Sequence, residues 1–157
     1  MNKLITSLLL IISLFLTACQ DDLEEGIDSL EGSWQVTTVE SFYKIPQTDG
    51  SLEWSNVSED GNLGRFEFAE DTVSFQFNRN DTLYQGAERW HLSKTRVNEG
   101  FFKVNLFTLQ IGDTFTFECE FEDQTKNSEK NARYITLRTK PEETNEVVSF
   151  EMSLNKE

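Results

Sequence analysis

Basic residues, histidine and cysteine are all scarce in this chain, and each shortage closes off a class of protein. Fourteen Lys and Arg stand against 28 Asp and Glu in 157 residues, a formal net charge of −14. Nucleic-acid binding rests on cations that neutralise phosphates and release counterions, so neither DNA nor RNA is an expected partner. Lying flat on anionic lipid is disfavoured for the same reason. The single histidine, His91, cannot build a multi-histidine zinc site and reads as a surface or rim residue. The uncharged run from Leu4 to Leu16 is shorter than the ~20 residues that a membrane-crossing helix needs. Catalytic signatures are missing too: there is no Gly-x-Ser-x-Gly elbow, no phosphate-cradling glycine loop and no dinucleotide fingerprint. The pairs Glu59-Asp60, Glu70-Asp71 and Glu142-Glu143 read as solvated turns, and no Asp-x-Asp-x-Asp-Gly calcium loop occurs. The expectation is a protein without enzymatic activity, cofactor or metal, with an acidic-residue hydrolase as a minor alternative.

What is present begins with an address. Lys3, the apolar run Leu4 to Leu16 and the small residues Thr17 and Ala18 have the order of a secretory signal peptide over residues 1–18. Leu16-Thr17-Ala18-Cys19 resembles the bacterial lipobox, which implies cleavage before Cys19, lipidation of that cysteine and attachment to the membrane through its acyl chains. Residues 19–29 are polar and acidic and read as a flexible tether. Gln20-Asp21-Asp22 resembles the export signal of Bacteroidetes surface lipoproteins, while a solvated linker explains the same charges. Outer-membrane anchoring is expected, on the cell surface or on the periplasmic face. With Cys19 acylated, Cys119 has no partner for a disulfide; it alternates with Phe115, Phe117 and Phe121 and reads as a small core residue.

Beyond Ser29 the apolar residues alternate with polar ones, the period of a half-buried strand. Val73, Phe75 and Phe77 share one face; Val148, Phe150, Met152 and Leu154 share another. Runs of this kind, with their turn residues, predict eight strands at 33–43, 63–69, 72–78, 82–93, 101–109, 113–121, 132–139 and 146–154. Short connections between them favour an antiparallel up-and-down order. One domain over residues 30–157 is therefore expected to be all-β, its apolar face closed into a barrel, with an antiparallel β-sandwich as the alternative. Of the 13 phenylalanines, all but Phe15 lie in the mature part and supply its interior.

Leu30-Glu31-Gly32-Ser33-Trp34, at the start of the first strand, resembles the Gly-x-Trp opening of the lipocalins, and more closely that of lipocalin-like (calycin) domains in Bacteroidetes lipoproteins. The resemblance implies an eight-stranded barrel in which Gly32 and Trp34 plug the closed end after a short helical turn. Lipocalins pair that tryptophan with an arginine on the last strand; residues 146–154 contain none, leaving Arg133 or Arg138 as substitutes. The same resemblance sets the open mouth at residues 44–62, 79–81, 110–112 and 140–145. The first of these is expected to be a lid-like loop, with Ile45, Leu52 and Trp54 as candidate ligand contacts. Trp54 pinning the loop to the rim is the other reading of the same residue. The expected function is non-covalent binding of a small apolar ligand by a lipid-anchored envelope protein. The alternative is an accessory module contacting another envelope protein or a glycan.

Overall fold

The computed structural model describes residues 23–99, 102–122, 133–140 and 147–157. Cys19, the segment before it and Glu142-Glu143 lie outside the described residues.

The fold is all-β apart from one short helix, α1, over residues 23–30. Eight antiparallel strands follow: β1 Gly32–Pro46, β2 Leu52–Ala69, β3 Thr72–Arg79, β4 Thr82–Glu99, β5 Phe102–Ile111, β6 Phe115–Glu122, β7 Tyr134–Thr139 and β8 Val147–Lys156. Each pairs with the next in sequence, and β8 pairs with β1, so one sheet closes on itself through a ring of hydrogen bonds. All eight strands expected from the alternation are present. Tight turns hold the hairpins: Asn80 (φ 50°) and Asp81 (φ 60°) are both left-handed, as a two-residue loop between right-twisted strands requires. Stagger around the ring is large. β4 pairs β3 through Thr82 to Arg89 and β5 through Trp90 to Glu99, with no residue used twice.

Two expectations are corrected. The stretch read as a tether over 19–29 is, from residue 23, the helix α1 docked on the sheet. Leu23, Ile27 and Leu30 recur at i, i+4 and i+7 and face the core, while Glu24, Glu25 and Asp28 point away from it. Eight residues are too few for a stable helix in water, so α1 owes its stability to this docking. Second, residues 44–62 are not a long mouth loop. They contain the end of β1, a tight turn around Gly50 and the first half of β2, paired in register from Lys44↔Trp54 to Pro46↔Leu52. The strand pattern was hidden there because both faces of this ribbon meet solvent, and no apolar side marks the period.

Inward-facing side chains form one cluster that includes Trp34, Phe66, Phe77, Leu109, Phe117, Leu137 and Met152. Rings reach across the interior between strands that are not neighbours. Phe77 on β3 lies 6.3 Å from Phe150 on β8, and Phe150 lies 5.8 Å from Phe117 on β6. Phe66 stacks on Phe77 at 5.6 Å, and Phe68 meets Trp90 edge to face at 5.4 Å. Each buried phenylalanine contributes about 1.5–3 kcal/mol, and each well-placed ring pair roughly 0.5–1.5 kcal/mol more.

Candidate functional site

At the helix end of the ring, α1 leaves its last carbonyls without intrahelical partners. Two side chains from the sheet satisfy them. The Trp34 indole donates to Leu30 O at 2.7 Å, and the Lys156 ammonium donates to Ser29 O at 3.0 Å while lying 5.3 Å from the Trp34 ring centroid. Trp34 is fully buried. The cation over the Trp34 ring is Lys156, where Arg133 or Arg138 was expected, because β8 runs two residues beyond the expected end of the last strand. Gly32, with φ +110°, turns the chain from helix into β1 in a region that L side chains rarely adopt.

The opposite end holds Ile45, Leu52 and Trp54, and the strand register separates them. Cross-strand partners share a face. Val39 and Ser41 are buried, so Tyr43, Ile45 and their partners Ser55 and Glu53 share the inner face. Trp54 and Leu52 take the outer face with Lys44, whose ammonium lies 5.0 Å from the Trp54 ring centroid. Trp54 is 59% exposed. Ile45 therefore lies on one face of the ribbon, and Leu52 and Trp54 lie on the other.

Space for a ligand opens in the wall instead. β5 pairs β4 along its whole length but reaches β6 only from Phe107↔Cys119 to Ile111↔Phe115. β6 turns away to follow β7 through Glu122. Where the two strands part, a cleft of about 480 Å³ opens, lined from both faces of the sheet. Phe107, Cys119 and Phe121 come from the inner face, with Phe107 and Phe121 edge to face at 5.2 Å. Val104 and Leu106 add apolar wall. Glu118, Glu120 and Arg138 form the polar rim, where Arg138 is held by Glu151 through Nε at 2.7 Å and Nη2 at 2.6 Å. That hydrogen bond to Glu151 raises the Arg138 pKa above its ordinary value, against the opposing effect of burial. Behind the cleft stands α1. A Cβ placed on Gly26 would lie 3.3 Å from the Phe107 ring and 3.1 Å from Leu92, so helix and sheet touch there. Burial pushes the Cys119 thiol pKa far up, with Glu120 adding to the effect, so the group stays protonated and inert. No sequence signal pointed to this cleft, because it arises from how far two neighbouring strands stay paired.

His91 is exposed on β4, next to buried Trp90 and Leu92. Glu59 and Asp60 accept hydrogen bonds from Asn80 N at 2.6 Å and Thr38 Oγ1 at 3.0 Å, each a neutral donor. Among the described residues no three His, Cys, Asp or Glu side chains gather as a metal site. No helix among them is long and apolar enough to cross a membrane.

No protein-family model, curated protein or solved structure matches this chain.

Proposed function

We propose that this chain is a lipid-anchored protein of the bacterial outer membrane, of Bacteroidetes lipoprotein type. Its lipocalin-like (calycin) barrel binds a small, largely apolar molecule non-covalently and performs no catalysis. The lipobox at Cys19 supports the anchor, and the closed eight-stranded sheet with Trp34 beneath its plugging helix supports the barrel. One observation carries the binding reading: the cleft between β5 and β6. Its volume of about 480 Å³ falls within the range of small-molecule sites, and half of its lining is apolar while Asn105, Thr136 and the charged residues at the rim make the other half, which suits an apolar ligand that carries a polar group. The ligand enters through the wall near α1, not through the far mouth, where rings span the interior.

N-phenyl-1-naphthylamine, a neutral fluorescent probe, tests this on the full chain in mild detergent. Leu106→Trp fills the cleft from its outer side and is expected to abolish probe binding, while Trp54→Ala leaves it unchanged. Loss of binding in Trp54→Ala alone overturns the site. Absence of any probe binding, together with no co-purifying small molecule in native mass spectra, overturns the function.

A further inference from the structure

The β1–β2 ribbon leaves a strand edge open. From Leu52 to Ser58, β2 pairs with β1 alone, and β3 joins it only from Gly64 onward. A one-sided strand presents the N–H and C=O groups of alternate residues to whatever comes alongside. Proline, a bulge or a charged side chain usually blunts such an edge; Leu52-Glu53-Trp54-Ser55-Asn56-Val57-Ser58 has no proline, lysine or bulge, and its single charge is Glu53, which turns away only partners that are themselves acidic. Ile45, Leu52, Trp54 and Val57, all on the ribbon, are among the large apolar side chains left exposed.

Charge on the ribbon is one-sided as well. Residues 38–60 contain Glu40, Asp49, Glu53, Glu59 and Asp60, against the single cation Lys44. All five carboxylates accept from neutral donors. Asn56 serves Glu40; Ser51 serves Asp49 at 2.6 Å; Gln47 serves Glu53 at 2.8 Å; Asn80 serves Glu59 at 2.6 Å; Thr38 serves Asp60 at 3.0 Å. Among the described residues none of the five takes part in an ion pair, and Lys44 sits on the Trp54 ring.

We propose that the open edge of β2 docks an extended, basic segment of another protein, which adds as a further strand. Its lysines or arginines meet Glu53 and Glu59 on one face, and its apolar residues meet Leu52 and Trp54 on the other, so the segment alternates the two. A second copy of this chain fits poorly, because it brings the same five carboxylates and a net charge of −14 to the same edge. Anionic lipid meets the same repulsion. This docking is independent of the β5–β6 cleft and its ligand.

Fluorescence anisotropy of a labelled synthetic peptide that alternates lysine and valine, titrated with the full chain, reads the interaction. The peptide is expected to bind, more weakly as salt rises, and its counterpart with glutamate for lysine is expected not to bind. N-methylation of every second peptide amide abolishes binding in one phase and spares it in the other, because only alternate N–H groups of an added strand face the edge. The double change Glu53→Lys with Glu59→Lys weakens binding roughly ten-fold or more. The peptide controls act on the unaltered protein, so a folding defect in a variant does not blur the result. Binding of the acidic peptide, equal binding of the two methylated phases, or unchanged affinity after the double charge reversal overturns the proposal. A dimer formed through this edge, or burial of Trp54 in phosphatidylcholine vesicles, overturns it too.

Discussion

Lys156 Nζ sits 5.3 Å from the centroid of the Trp34 ring and donates to Ser29 O, while the ring's own N–H donates to Leu30 O. A cation and an indole thus cap the same helix end, where the dipole favours positive charge. Burial lowers the Lys156 pKa, with Glu31 opposing it. Lys156→Met keeps the stem and loses the cap, and is expected to cost about 1–2 kcal/mol. Trp34→Ala empties the core beneath α1 and is expected to cost about 3–5 kcal/mol. Urea denaturation of the two single variants and the double variant checks this. The double is expected to cost less than the sum, because both residues serve one helix end.

Gly64, on β2 opposite Val36, has the least room of the described glycines. A Cβ there would lie 2.1 Å from Gln76 O and 2.5 Å from Phe77 Cα, both backbone, at φ +154°. Neither atom moves without parting β2 from β3. Gly64→Ala is therefore expected to lose about 4 kcal/mol or more, in the upper tail of single substitutions. Gly26→Ala meets the ends of the Leu92 and Phe107 side chains at 3.1 and 3.3 Å, which yield, and is expected to cost less, about 1–3 kcal/mol. Thermal unfolding ranks the two; the reverse order would show the β2–β3 ladder to be loose at Gly64.

The strands were legible where one face is buried and the other wet. Val73, Phe75 and Phe77 announce β3, and Phe150, Met152 and Leu154 announce β8, because the sheet buries every second residue. Leu52 to Asn62 announced nothing: that stretch has no buried residue on either face, so its pairing leaves no hydrophobic period to read. Helix α1 was hidden for another reason. Glu24, Glu25 and Asp28 made the segment look like a linker, although Leu23, Ile27 and Leu30 carry the helical spacing. The role of Lys156 depended on where β8 stops. The cleft depended on where β5 and β6 part, and pairing length between two strands leaves no mark in composition or period.

Cys119 reports on the wall beside that cleft. Its residue is 6% exposed, and burial raises its thiol pKa well above the ordinary value of 9.0. Above about pH 9 the unfolded thiol loses its proton while the folded one keeps it, so stability falls as pH rises. For one proton the slope is about 1.4 kcal/mol per pH unit. Cys119→Val removes this contribution, so the stability difference between parent and variant is expected to shift along that slope above pH 9 and to stay flat below it. With Cys19→Ser in the background, Ellman's reagent is expected to react at pH 8 only after unfolding by guanidinium. Fast native reaction would mean that the cleft opens as far as the sulfur.

Arg79 points inward at the end of β3, its guanidinium 4.4 Å from the Phe150 ring centroid and 5.4 Å from that of Tyr84. Its buried Nε has no hydrogen-bond partner among the described residues, so stacking on the rings holds the side chain while the lost hydration opposes it. Arg79→Met preserves the stem and the ring contact and removes the unpaired donor, so it is expected to change stability by less than about 1 kcal/mol. Arg79→Ala uncovers Phe150 and Tyr84 and is expected to cost about 1–3 kcal/mol. Urea denaturation of the two variants separates packing from charge. If methionine costs as much as alanine, the positive charge itself holds this end of the sheet together, and the aromatic contact is incidental.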